Sequence, residues 1–320
     1  MNNIISIIIP LLNEEKNVPI LVDRLIKVLD SENLNFQIVL VDDGSRDGSY
    51  SAIMEASRND RRVEGIRFSR NFGQATAIKA GVEYARGDVC ITMDGDLQHD
   101  PVHIPDFLEK INEGHDLVCG YRFRRNDGLV RRIPSKIANF LARKFSGLNI
   151  SDFGSTYRAY NTRVIREISI YGEMHRFIPI FVSALTNRIT EIPIHLGDRI
   201  HGKSKYGIGR TFRVFSDIVS LIFFTSFFNR PIHIFGYLSL FLGLPGLCIL
   251  GWLSLGKIFG GIFIMDYLPM FFLGVMLCLV AGQIFTTGIV CEYLLRVYYK
   301  KENVQPYHVM ETTFDKKLEG

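Results

Sequence analysis

Short apolar runs alternate with amphipathic stretches through the first part of the chain. Ile4–Ile9, Phe36–Val41, Val63–Phe68, Val89–Met93 and Leu117–Cys119 are mainly apolar and rich in β-branched residues, the pattern of strands buried on both faces. Between them, Glu15–Leu29 carries Val18, Leu21, Val22, Leu25, Val28 and Leu29 on one helical stripe. Tyr50–Ser57, Gln74–Tyr84 and His103–Asn112 read as further helices, with Gly87 and Gly114 expected to end the last two. Strand–helix alternation predicts an α/β domain with a mostly parallel sheet and helices on both faces. In such a sheet ligands bind beyond the carboxyl ends of the strands.

The pattern changes after Tyr121. Tyr121–Arg213 is irregular and rich in Arg, Gly and Ser, and reads as the variable half of the same domain. Val214–Phe228 is apolar but short and holds Asp217, which suits an interfacial or re-entrant helix. Ile232–Leu255 and Tyr267–Cys291 each exceed the ~20 apolar residues that a membrane span needs. The expected organisation is a catalytic domain over 1–213, an interfacial helix over 214–230, a two-helix anchor over 231–295 and a tail over 296–320.

Charge sharpens this division. Of 37 basic and 33 acidic residues, only Lys257 and Asp266 fall between Pro231 and Cys291. Arg199, Lys203, Lys205, Arg210 and Arg213 precede the apolar region, and Arg296, Lys300 and Lys301 follow it. By the positive-inside rule, the domain and the tail are both expected in the cytoplasm. The net charge of +4 is mild and does not suggest nucleic acid as a partner. The five cysteines show no C-x-x-C spacing and read as buried thiols in a reducing compartment. Ile4–Leu12 is interrupted by Pro10 and has no basic residue before it, so it is not read as a signal peptide.

The predicted strand ends carry polar clusters. Asp94-Gly95-Asp96, with Gln98 two residues on, offers the hard oxygen ligands that Mg²⁺ or Mn²⁺ prefers. An isolated Asp-Gly turn would explain D-x-D equally well, but Asn13-Glu14 and Asp42-Asp43-Gly44-Ser45 converge on the same sheet edge. Asp42 and Asp43 suit hydrogen bonds to a ribose or base edge, while Asp47 is placed to cap the next helix. No glycine-rich dinucleotide fingerprint or P-loop is present. Arg199 and Lys205 could grip a diphosphate or lipid phosphate, or merely orient the membrane helices. Arg122, Arg124, Arg125, Arg131 and Arg132 share that ambiguity. Asp152, among polar and glycine neighbours, is a candidate active-site carboxylate, and His175 reads as structural.

The runs Ile8–Glu15, Val41–Asp47, Ser69–Gln74 and Met93–Gln98, continued through Ser151–Arg158 and Arg199–Tyr206 to Glu292–Arg296, resemble the GT-A glycosyltransferases of the polyprenyl-phosphate class. That class includes dolichol-phosphate mannose synthases and bacterial undecaprenyl-phosphate glycosyltransferases. The resemblance implies a multi-pass enzyme of the plasma (inner) membrane, with its catalytic domain in the cytoplasm and a homo-oligomeric, tetrameric state. It implies transfer from a nucleotide sugar, UDP-linked as in UDP-glucose, to undecaprenyl phosphate for cell-envelope glycan or lipopolysaccharide modification. It also implies that Pro10, Leu12, Glu14, Asp42, Asp43 and Gly95 line the nucleotide-sugar pocket, and that Asp94, Asp96 and Gln98 hold Mg²⁺ or Mn²⁺. Arg122, Arg199 and Lys205 would face the diphosphate or acceptor phosphate, with Asp152 near the acceptor. The family often has Tyr where this chain has Leu12, and Phe153-Gly-Ser-Thr-Tyr departs from its commoner Thr-Gly-x-Phe.

Two other classes compete. A processive polysaccharide synthase of the same fold needs a Q-x-x-R-W motif, yet Trp252 is the sole tryptophan and lies in an apolar stretch. A non-enzymatic channel, flippase or scaffold subunit is the other class; two spans without buried charge pairs make a poor transport path, though an oligomer could supply one.

Overall fold

The computed structural model describes residues 4–123, 139–140, 143, 147–168, 177–197, 231–261, 263–300 and 309–312. The expectations for Arg124, Arg125, Arg131, Arg132, His175, Arg199, Lys205 and the segment 214–230 lie outside the described residues. The chain divides into two compact units, one formed by Met1–Ile218 with Gln305–Gly320, the other by Val219–Val304.

In the first unit the elements run β1 (Ile5–Leu11), α1 (Asn17–Ser31), β2 (Phe36–Asp42), α2 (Ser49–Asn59), β3 (Val63–Phe68), α3 (Gln74–Tyr84), β4 (Val89–Thr92), α4 (Ile104–Asn112) and β5 (Leu117–Arg122). There follow β6 (Arg158–Asn161), α5 (Thr162–Arg166), α6 (Ile178–Ser183) and β7 (Ile189–Ile194). Eight strands form one mixed sheet in the order β7-β5-β6-β4-β1-β2-β3-β8, where β8 is Val309–Thr312. The central strands β4, β1, β2 and β3 are parallel, as their intervening helices require. β6 runs antiparallel to β4 and β5, and β7 is parallel to β5.

Both faces of the sheet are covered. Ile5, Ile7, Ile9 and Leu11 of β1 join the α1 stripe and Ile104 and Phe107 of α4 in one core cluster. Ile8 points the other way, against Gly81 of α3. Each such aliphatic side chain contributes about 1.5–3 kcal/mol by leaving water. This packing fixes β1, β2 and β4 side by side, so their carboxyl ends open at one edge.

Several expectations change in detail. α3 stops at Tyr84, and Gly87 serves a different purpose: a side chain there would collide with the backbone of Ile4 and Ile5. Gly114, with φ +99°, does follow the last turn of α4. The irregular half holds the strands β6 and β7, the latter with Pro193 on an edge strand, where proline is tolerated. The segment after the apolar region supplies β8, antiparallel to β3 and placing Glu311 opposite Arg67.

The second unit contains α7 (Pro231–Phe259) and α8 (Leu268–Lys300), two candidate membrane spans. Large apolar side chains stand exposed along both, Phe241 at 74% and Leu279 at 70%, as lipid-facing residues do. Small residues make the contact between the helices: Gly243 meets Ala281, Gly246 lies against Gly274, and Ser239 Oγ donates to the Ala281 carbonyl at 2.8 Å. Cys90 and Cys119 are buried in the sheet as expected, whereas Cys248 is exposed on α7.

Candidate active site

The loop after β4 is built on alternation. Gly95, Leu97 and His99 are buried, while Asp94, Asp96 and Gln98 are half-buried. The three candidate metal ligands are thus the residues of this loop that keep partial access to solvent. At Gly95 a β-carbon would push against the tip of the Leu11 side chain, and Leu97 adopts the left-handed region with φ +62°. The Gln98 carbonyl accepts from the Gly197 N–H at 2.8 Å, and His99 bridges to Leu196, which ties the loop to the chain after β7.

Two residues that carried no role in the sequence hold Asp94. Gln74, the first residue of α3, donates from Nε2 to Asp94 Oδ1 at 2.8 Å. The Asp94 N–H donates to His99 Nδ1 at 2.9 Å. His99 is buried and stacks on Tyr157 with ring centroids 4.9 Å apart. Burial lowers the His99 pKa below its ordinary value, although Asp94 and Asp96 pull the other way. A neutral ring agrees with Nδ1 acting as an acceptor. Gln74 was visible within Ser69–Gln74, but nothing in that run signals a contact with residue 94.

At the end of β2, Asp42 is fully buried. Its Oδ1 accepts from the Ser45 N–H at 2.9 Å, and its Oδ2 has no hydrogen-bond partner among the described residues, with Arg67 Nε 3.7 Å away. A buried carboxylate oxygen without a hydrogen bond is costly unless something completes it, and a ligand hydroxyl or imide N–H would do so. Asp43 is engaged differently: its carboxylate accepts from the Phe72 and Gly73 N–H groups and fixes the turn before α3. Burial raises the Asp43 pKa, those two bonds oppose it, and neighbouring Asp42 adds to the rise. Asp47 accepts from the Ser49 N–H at 3.1 Å in a turn of its own; the N-cap of α2 is Gly48, without a side-chain cap, so Asp47 is one residue short of the capping place expected of it.

The remaining sequence candidates frame this edge. Pro10 and Leu12 are half-buried at the end of β1. Glu14 accepts from Asn17 Nδ2 at 2.5 Å and donates its own N–H to Ser49 Oγ at 2.8 Å, joining α1 to α2. Arg122, at the end of β5, pairs with the buried Asp152 through two bonds, Nε to Oδ2 and Nη2 to Oδ1, the latter at 2.9 Å. The charges of Asp94, Asp96, Arg122 and Asp152 all act on His99. Among the described residues, no three His, Cys, Asp or Glu side chains converge as a preassembled metal site.

Comparison with known proteins defines the class. The glycosyl transferase family 2 model matches residues 6–169, and the chain belongs to that family. It is 39% identical over 316 residues to the dodecaprenyl-phosphate galacturonate synthase of Rhizobium johnstonii, covering 97% of this chain and 93% of that one. It is 34% identical over 324 residues to the undecaprenyl-phosphate 4-deoxy-4-formamido-L-arabinose transferase of Shewanella sediminis, covering 99% and 94%. Glucosyl-3-phosphoglycerate synthase from Mycobacterium tuberculosis superposes with a TM-score of 0.55 at 18% identity, over 69% of this chain and 79% of that one. The same enzyme in complex with Mn²⁺ and UDP-glucose superposes with a TM-score of 0.54. The fold is therefore GT-A.

Proposed function

We propose that this chain is a membrane-bound, inverting glycosyltransferase that moves a sugar from a nucleoside-diphosphate sugar to a polyprenyl phosphate. The observation that carries the reading is the alternation of half-buried Asp94, Asp96 and Gln98 with buried neighbours at the carboxyl edge of the sheet. The two relatives above bear names of polyprenyl-phosphate sugar transferases over nearly the full chain length, and two apolar helices supply a membrane anchor. Uridine is the proposed base and UDP-glucose an example of the donor. The two relatives are named for different sugars, galacturonate and a formamido-arabinose.

In this reading Asp42 Oδ2 accepts from the ribose or base, and the Pro10–Leu12 segment forms the pocket wall. Asp94, Asp96 and Gln98 hold Mg²⁺ or Mn²⁺, which when bound neutralises charge on the departing nucleoside diphosphate. The lipid phosphate attacks the anomeric carbon from the face opposite the leaving group, inverting that centre. A phosphate monoester has a second pKa near ~6, so the nucleophile is already an anion at neutral pH and needs no strong base. Asp152 orients Arg122, whose guanidinium steadies phosphate oxygens by charge-assisted bonds. Arg199 and Lys205 are assigned to the same anions.

The site is proposed to face the cytoplasm at the plasma membrane. The pairing of β8 with β3 supports an even number of crossings between them, because the chain leaving α8 returns to the catalytic sheet. Incubation of the purified protein with undecaprenyl phosphate and a nucleotide sugar tests the reading, which requires a sugar-bearing lipid together with released nucleoside diphosphate.

A further inference from the structure

We propose that Gln74 and His99 are positioning residues that set the Asp94 carboxylate for the divalent ion, one from its side-chain oxygen and the other from its backbone. The inference rests on the reading that Asp94 is a metal ligand.

The Asp94 side chain is about one-third exposed, and left alone it would rotate freely between rotamers. A contact from α3 limits that freedom, and a second contact holds the backbone below it. Gln74 Nε2 donates to Oδ1 at 2.8 Å from the first turn of α3, leaving Oδ2 as the oxygen not taken by the amide. His99 Nδ1 accepts the Asp94 N–H at 2.9 Å and so fixes the backbone from which the carboxylate projects. His99 is itself held firmly, stacked on Tyr157, whose hydroxyl donates to the Asp100 carbonyl at 3.0 Å. With Nδ1 accepting, the ring carries its proton on Nε2, which lies 4.0 Å from Asp94 Oδ2 on the same side. Groups that orient a metal ligand in this way typically change metal affinity ten- to a hundredfold when lost. Neither residue needs to touch the ion or the substrate.

Side-chain geometry supplies a sharp test. Asn places its Oδ1 close to where His has Nδ1, whereas Gln places its oxygen close to the Nε2 position. His99→Asn therefore keeps an acceptor for the Asp94 N–H, and His99→Gln and His99→Leu do not.

The measurement is Mn²⁺ affinity in the presence of UDP, read by the electron paramagnetic resonance signal of free Mn²⁺, using the full-length protein without turnover. Asp94→Asn is the reference and should lose Mn²⁺ binding. Gln74→Ala, His99→Gln and His99→Leu should each weaken Mn²⁺ binding about ten- to a hundredfold, with kcat largely recovered at saturating Mn²⁺. His99→Asn should stay close to wild type. A purely structural role would instead lower the melting temperature of all three His99 variants without separating Asn from Gln in Mn²⁺ affinity, and that outcome overturns the proposal for His99. Wild-type Mn²⁺ binding by Gln74→Ala overturns it for Gln74, a half-buried position. Wild-type binding by Asp94→Asn would instead remove the metal assignment itself, so the two failures are told apart.

Discussion

Arg122 and Asp152 form a two-bond ion pair at the carboxyl edge of the sheet, and Asp152 Oδ1 also accepts the Gly154 N–H at 3.1 Å. A carboxylate engaged in this way is a support for the guanidinium and a poor proton acceptor. Asp152→Asn should lower turnover about ten- to a hundredfold, because the charge-assisted bonds to Arg122 are worth roughly 1.5–3 kcal/mol. The acidic limb of the rate profile should remain in the variant, since it belongs to the second ionisation of the lipid phosphate near ~6. Disappearance of that limb in Asp152→Asn would make Asp152 the base.

Asp42→Asn tests the nucleotide pocket. The replacement keeps the shape of a fully buried side chain and changes the oxygen that has no hydrogen-bond partner among the described residues. UDP affinity, measured by calorimetry, should fall about tenfold or more, with a lower melting temperature from the lost ion pair to Arg67. Unaltered UDP affinity would take Asp42 out of the pocket.

Metal removal gives a third expectation. Chelation with EDTA should abolish transfer, and Mn²⁺ or Mg²⁺ should restore it. Asp96→Asn should not be restored at ordinary metal concentrations, because the loop after β4 supplies so few oxygen ligands that one charge is a large share. Full activity of Asp96→Asn in EDTA would exclude the metal role.

The tail yields a prediction of a different kind. Ending the chain at Val304 removes β8 and leaves the β3 edge unpaired, a template for aggregation. The truncated protein should still insert in membranes but unfold at lower temperature and aggregate from detergent. A single cysteine introduced in the tail should label from the same side of the membrane as one in the catalytic domain.

Legibility in the sequence follows how local each interaction is. β1 to β4 were readable because strands buried on both faces must be apolar, and the helices between them carry regular stripes. β6 was not, since Arg158-Ala-Tyr-Asn161 has no strand period and buries an arginine that donates to the Phe153 carbonyl. β8 escaped because its partner β3 lies more than two hundred residues earlier. In the site, Asp94, Asp96 and Gln98 stood out as candidates only because other acidic clusters fall at the same predicted sheet edge, since D-x-D alone reads equally well as a turn. Gln74 and His99 did not, because their partner is defined only once α3 and the loop after β4 meet. Asp43 looked like the equal of Asp42, and only the fold shows its carboxylate tied to the backbone at Phe72 and Gly73.

The most direct measurement is the mass of the lipid product and the identity of the nucleotide released when purified protein meets undecaprenyl phosphate, Mn²⁺ and a panel of nucleotide sugars. Direct transfer of the sugar predicts a lipid heavier by one anhydro-sugar, linked through a single phosphate, with inverted anomeric configuration and one nucleoside diphosphate released per turnover. A lipid diphosphate-sugar with nucleoside monophosphate released, or no lipid product with any donor in the panel, would contradict it.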